Sequence, residues 1–371
     1  MSDYHLTTPA GKPRARALGI PFSGEPGEMN AITDVAGLEV GTATLIQGDA
    51  VRTGVTVIHP RGPSGSADPV AAGFHSQNGN GEMTGVSWIH ESGTFAGPVG
   101  ITSTAAVGVV HAAILAWVAT HHPQMAEAWV LPVVGETWDG YLHDLSGQHI
   151  TEAVALAALE SSSGGPVEEG SVGGGTGMTC YQYKGGSGTA SRRVRRGDLI
   201  STVGVFLQAN FGRRQELTVA GVPLGREFAD DNPMATRSTA PAGAGSVIAV
   251  VATDAPLLPG QLEAMARRVP MGLARTGTTG SHFSGDLGLA FSTANPGAFS
   301  SPKPSQGVSR LDFLPWEAMD PLFAAVVYAT EEAVLNALVA NEPMTGRDGR
   351  VVPALPRDRV AARMRAQPAQ R

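Results

Sequence analysis

ADDNPMATRSTAPAGAG, residues 229–245, runs straight into Ser246 and then into VIAVVAT, residues 247–253. The first stretch is rich in Pro, Ala, Ser and Thr and has no apolar period, so it reads as an exposed linker. The last is a run of β-formers and reads as a buried strand. Linker, serine and core strand in that order are the arrangement a self-cutting hydrolase requires. The Ser246 hydroxyl attacks the Gly245 carbonyl carbon, an N→O shift gives an ester, and water hydrolyses it. Gly245 suits the position before the cut, since glycine tolerates strained angles and leaves its carbonyl unshielded. The cut leaves Ser246 as a new chain end on a rigid strand. Its α-amine, with an ordinary pKa of about 8, is one candidate base. By itself a Gly-Ser pair before a strand is also common turn chemistry.

Working outward, the pattern of ITDVAGLEVGTATLI from Ile32 predicts a half-buried strand. VTVIHP from Val55 and AWVLPVVG around Val130 predict short strands closed by Pro or Gly. A helix is expected over AAVGVVHAAILAWVAT near Ser103, and another over TEAVALAALES with Thr151 as its cap. LISTVGVFLQAN predicts a strand, and LTVAGVPLG reads as half of a hairpin. Beyond the central strand, LLPGQLEAMARRVPMGLART is helical with a proline at its middle, LGLAFSTAN is a strand, and Trp316–Asn341 gives one or two helices. Residues 1 to about 16 read as an arm, and 345–371, with five arginines from Arg357 on, as a frayed basic tail. Strands this apolar, alternating with helices, imply a layered α/β architecture with sheets buried on both faces. The pattern alone leaves a Rossmann arrangement and a four-layer sandwich equally open.

The 371 residues are 42% hydrophobic and 16% charged, which is globular composition with enough chain for a substantial core. A net charge of −7 gives no support to nucleic-acid binding. One basic cluster, Arg192-Arg193-Val194-Arg195-Arg196, reads as a solvated loop between strands. The single cysteine, Cys180, permits no internal disulfide and is expected to pack as a small hydrophobe. No signal-length apolar stretch opens the chain, and the apolar run Ala105–Thr120 contains His111 and falls short of a bilayer span. The expectation is a cytoplasmic protein. The ten histidines, His121 and His122 among them, show no metal-ligand spacing.

TGSHFSGDLGLAFST, residues 279–293, adds chemistry. Ser284 and Asp286 stand two apart at the start of a strand, where i and i+2 share a face. A hydroxyl and a carboxylate therefore converge, the acid orienting the serine; a strand-starting Asx or Ser turn is the plainer reading. A Ser246–His282–Asp286 triad is the alternative, though a glycine-containing turn separates His282 from Asp286. The glycine run 173–177 lacks both a GK[ST] ending and Rossmann spacing, so it is not a nucleotide cradle.

The chain resembles the DmpA-type family of autoprocessing aminopeptidases, the L-aminopeptidase/D-amidase-esterases and β-aminopeptidases, from about Arg16 to about Asn341. Eight motifs carry the resemblance in order: RARALGIPFSGEPGEMNAITDVAGLEVG, RTGVTVI at Arg52, NGNGEMTG at Asn78, VVGETWDGYL around Glu136, GSVGGGTGM at Gly170, VGVFLQANFG ending at Gly212, GSVIAVVATDAPLLP at Gly245 and SGDLGLAFSTAN at Ser284. The resemblance implies a single αββα sandwich, similar in layers to N-terminal-nucleophile hydrolases but connected differently. It implies a precursor cut into an α chain, 1–245, and a β chain, 246–371, assembled as a tetramer of αβ pairs.

By the same resemblance Ser246 is the nucleophile, Ser284 and Asp286 are the serine–acid relay, and Asn210 donates to the oxyanion, a role that suits an amide because it does not titrate. Glu136 lies in the region that lines the substrate pocket, where a carboxylate pairs with a free amine. Trp138 and Tyr141 are candidate pocket walls, or core aromatics. Gly174 and Gly175 are expected to bring backbone close to the cleft. The resemblance implies no metal and no organic cofactor. Ser171, Ser103 and the pair Ala105-Ala106 depart from the family pattern and bear on substrate choice. The activity implied is hydrolysis of amino-acid amides, esters and short peptides with a free amino end, of L-, D- or β-configuration. The alternatives are an ω-amino-acid oligomer hydrolase or acyltransferase, and an uncut binding or scaffold protein.

Overall fold

Two mixed β-sheets lie face to face in the computed structural model, which describes residues 3–230, 232–234, 244–300 and 307–366. The first sheet has the order β1-β2-β5-β6, from β1 (Glu39–Gln47), β2 (Val51–His59), β5 (Val99–Ser103) and β6 (Val133–Thr137). The second has the order β4-β3-β12-β11-β10-β9. Its strands are β3 (Val70–Gly79), β4 (Thr94–Phe95), β9 (Gly186–Arg196), β10 (Leu199–Asn210), β11 (Gly245–Thr253) and β12 (Ser284–Ser292). Among the described residues only β5/β6 and β11/β12 pair in parallel; the other pairs are antiparallel. Two small hairpins, β7–β8 (Thr179–Cys180, Tyr183–Lys184) and β13–β14 (Met344–Thr345, Val351–Val352), complete the set.

Alternation along the strands sorts the core into three layers. Ile58, Val99, Ile101 and Val133 meet Phe206, Ile248, Val250 and Leu289 between the sheets. Val55, Val57 and Val134 face the other way, onto the helices Val107–His121 and Glu152–Glu160. Val205, Leu207, Val247, Ala249 and Val251 face the helices Pro259–Ala266, Val269–Arg275 and Asp320–Val339. The result is helix, sheet, sheet, helix: the four-layer αββα sandwich, and not a doubly wound single sheet. Two helical stretches, Thr104–His121 and Asp320–Val339, have the length and hydropathy to cross a membrane, yet each packs on a sheet.

Two local expectations hold and one is corrected. Thr151 Oγ1 accepts from Val154 N at the start of its helix. The proline-interrupted segment splits into two helices at Arg267–Arg268. The stretch LTVAGVPLG is a tight turn closed by Val219 and Val222 rather than half of a hairpin.

Three further expectations are corrected. The arm is docked: Arg14 is buried and its Nε donates to Glu169 Oε2 at 2.7 Å. The basic cluster is no loop but the end of β9, and Arg192, 1% exposed, pairs with Glu332 at 2.7 Å, which Arg16 also grips. Burial pushes the Glu332 carboxyl up, and Arg192 and Arg16 together outweigh it and hold it below its usual range. The tail is not frayed: β13–β14 leads to the helix Arg357–Arg365, which buries Val360 and Met364 against the core while its arginines face out. Residues 231 and 235–243 of the linker, and 367–371 of the tail, lie outside the described residues. Cys180 is fully buried, and burial pushes its thiol far above the usual range, which suits packing and not nucleophilic attack.

Candidate active site

The last residue of β10 and the first residues of β11 and β12 lie side by side at one end of the second sheet. β11 begins at Gly245, so Ser246 is the second residue of a central strand, 3% exposed. Its Oγ has no hydrogen-bond partner among the described residues. Buried hydroxyls rarely go unpaired, so the position of this one calls for an explanation, and Thr330 Oγ1, in the helix Asp320–Val339, shares the state without lying at the site.

Antiparallel register sets Asn210, the last residue of β10, directly opposite Ser246. Opposed residues in such a pair share a face, with Cβ atoms about 5 Å apart. The Asn210 amide is fixed at both ends: Oδ1 accepts from Thr179 N at 2.9 Å, and Nδ2 donates to Trp138 O at 2.9 Å. That pairing admits one orientation of the amide, oxygen toward Thr179 and nitrogen toward Trp138.

On the other flank β12 runs parallel to β11, with Ser284 beside Gly245 and Gly285 beside Ser246. Ser284 Oγ donates to Asp286 Oδ1 at 2.5 Å, the convergence that their i, i+2 spacing predicts. Asn78 Nδ2 occupies Asp286 Oδ2 at 3.0 Å. Burial raises the Asp286 pKa, against the two hydrogen bonds that lower it. A register shift against β3 falls between Asp286 and Leu287, so this end of β12 is locally re-aimed. His282 is exposed and packs on Phe283, and both oxygens of Asp286 are already taken, so no Ser–His–Asp triad assembles. Gly285 is the spacer this crowding demands, since a Cβ there would lie 2.3 Å from Asn80 O.

The arrangement is a buried, unpaired hydroxyl directly after Gly245 at the head of a central strand, with an oriented amide on one side and a hydroxyl–carboxylate pair on the other. Comparison with known proteins agrees: the profile of "Peptidase family S58" matches residues 30–352. The chain belongs to peptidase family S58. It is 46% identical over 361 residues to the beta-peptidyl aminopeptidase BapA of Sphingosinicella microcystinivorans, covering 93% of this chain and 90% of that one. Among solved structures it superposes with a TM-score of 0.89 and 43% identity on the L-aminopeptidase D-Ala-esterase/amidase of Ochrobactrum anthropi, covering 95% and 98% of the two chains. That protein is described as a serine aminopeptidase with a variant of the Ntn-hydrolase fold. A Burkholderia sp. beta-aminopeptidase gives 0.87 and 41%, covering 96% and 99%.

In this S58 chain Glu136, near the end of β6, is buried. Thr104 Oγ1 donates to its Oε2, and Glu82 N donates to Oε1 at 2.9 Å. Burial raises its pKa above the usual carboxylate range. Trp138 is 37% exposed and free to form a wall, whereas Tyr141, 3% exposed, packs with Leu142, Met234 and Val352. Gly174 and Gly175 are fully buried; a Cβ would meet Gln208 Oε1 at 2.1 Å and Ser187 N at 2.3 Å respectively. Their close approach is to neighbouring strands, not to an open cleft. The departing positions Ser103, Ala105 and Ala106 line a cavity of about 220 Å³ together with His143 and His149. Ser103 also donates to Asp139 Oδ1 at 2.7 Å, and burial raises Asp139 to about 7. Asn78, Asp139 and Thr179 join the site without an individual signal in the sequence. For Asn78 and Asp139 the one pointer is their place within the motifs NGNGEMTG and GETWDG.

Proposed function

We propose that this S58 chain is a self-cleaving serine aminopeptidase and amidase. It cuts its own Gly245–Ser246 bond and then hydrolyses amides, esters and short peptides that carry a free amino end. The observation that carries the reading is the buried, unpartnered Ser246 Oγ at the head of a central strand, opposite the fixed Asn210 amide. In the first step Ser246 Oγ attacks the Gly245 carbonyl, the C–N bond breaks, and the freed nitrogen takes up a proton as the Ser246 α-amine. Water then hydrolyses the ester. In turnover the same oxygen takes the substrate's acyl group, the amine or alcohol leaves protonated, and water releases the acid. Asn210 Nδ2 donates to the oxyanion, Ser284 with Asp286 relays the proton, and Glu136 receives the substrate's ammonium with Trp138 as wall. The relatives named beta-peptidyl aminopeptidases make a β-amino-acid amide the first substrate to assay. Assembly as a tetramer of αβ pairs belongs to the same proposal, and the exposed Trp88, Trp129 and Met271 are apolar surface it would cover.

Denaturing electrophoresis tests it. The wild type should run as two fragments of roughly 25 and 13 kDa, in proportion to residues 1–245 and 246–371 of the 38.2 kDa chain, as a nucleophile freed by scission requires. Ser246→Ala should stay in one piece and be inactive. An unbroken wild type that hydrolyses an amino-acid p-nitroanilide overturns the reading.

A further inference from the structure

Lys184 is 0% exposed, and no step above uses it. Its Nζ donates to Met178 O at 2.8 Å and Gly185 O at 2.7 Å, with Gly175 O at 3.5 Å. Three acceptors around one nitrogen match an ammonium, which has three donors and no lone pair. Burial pulls the Lys184 pKa down to about 7, and the field of Asp139 opposes it. A buried lysine costs stability that an apolar side chain would not, so its presence calls for a function.

The function lies in which carbonyl it holds. Met178 O belongs to the peptide unit whose N–H, that of Thr179, fixes Asn210 Oδ1. We propose that Lys184 is a positioning residue for catalysis, holding and polarising the Met178–Thr179 peptide so that its N–H locks the Asn210 amide in its donating orientation. A charge on the carbonyl strengthens the N–H of the same peptide, as in any chain of hydrogen bonds. The hairpin that carries Lys184 is built to stay put. Its turn residues Tyr181 and Gln182 adopt φ of 52° and 57°, uncommon for side-chain-bearing residues. Tyr181 is clamped by its N–H to Phe211 O at 2.7 Å and its hydroxyl to Thr276 Oγ1 at 2.7 Å. Lys184 itself donates its N–H to Pro353 O, and its carbonyl accepts from Asn341 Nδ2. Strain of this kind persists where the surroundings over-determine it.

This inference rests on the reading of Asn210 as oxyanion donor, and a double-mutant cycle separates the two. Kinetics of mature Lys184→Met, Asn210→Ala and the double variant would be measured on one amino-acid p-nitroanilide. Asn210→Ala should lower kcat by about 100-fold or more, as loss of an oxyanion donor does. Lys184→Met should lower kcat by about tenfold with KM within about twofold, and in the Asn210→Ala background by less than about twofold. An equal loss from Lys184→Met in both backgrounds, or none in the wild type, overturns this inference and leaves the Asn210 reading standing. An Asn210→Ala enzyme with full kcat overturns both. Where Lys184→Met does not fold, Lys184→Gln enters the same cycle. It keeps a neutral donor toward Met178 O, so a kcat below wild type that becomes indifferent in the Asn210→Ala background is the expected result, and wild-type kcat is the overturning one.

Discussion

At the residue scale, what distinguishes this site is how few of its polar atoms are left free. Asp286, Asn210 and Glu136 each have their hydrogen-bonding atoms assigned, and the Ser246 hydroxyl does not. Glu136 gives a test on the substrate side. Glu136→Gln keeps the shape and removes the charge, so KM for a substrate with a free amine should rise about tenfold while kcat changes little, in keeping with a charge-assisted contact made equally in ground and transition states. Because burial raises the Glu136 pKa, the wild-type KM should climb as pH falls from neutrality, at higher pH than an exposed glutamate would allow. The variant's KM should be flat over that range. Identical profiles in the two enzymes would remove Glu136 from amine recognition.

At the element scale the strands interleave. In the second sheet β12 and β11 sit between β3 on one side and β10 on the other, so chain from beyond residue 246 is flanked by chain from before it. The cut fragments should therefore elute as one species in native buffer and part only in denaturant. A fraction of free 13 kDa fragment in native gel filtration would contradict this strand order. The elements beside Ser246 were legible in the sequence because their signals are local: a β-forming run and an i, i+2 pair. What was not legible depends on partners far along the chain. Arg192 reads as solvated until Glu332, 140 positions away, is brought beside it, and Arg14 until Glu169 is, 155 positions away. The terminal arginines disguised a helix whose buried face is only Val360 and Met364, too sparse a pattern to stand out. Lys184 carried no local sign at all, since its role depends on a carbonyl six residues earlier and an asparagine on another strand.

At the scale of the whole molecule, the proposed scission would show in the thermodynamics. The uncut Ser246→Ala chain unfolds to one molecule and the mature pair to two, so the melting midpoint should fall on dilution only for the mature form. Acid adds a second effect. His59 is buried against Trp117, and burial lowers its pKa from 6.5 to about 4. The folded state thus takes up this proton less readily than the unfolded state. The stability it secures is whole above pH 6.5 and is lost as pH falls toward 4, on the order of 3 kcal/mol in all. Scanning calorimetry of His59→Phe, which keeps the ring contact, should show a shallower acid limb. The anchoring of Lys184 by Pro353 and Asn341 has a further consequence, one of timing. Both anchors are synthesised more than ninety residues after Ser246. A nascent chain therefore holds the proposed nucleophile before it holds the anchors of the hairpin, and on the role proposed for Lys184 the Asn210 amide is fixed only once both have been made.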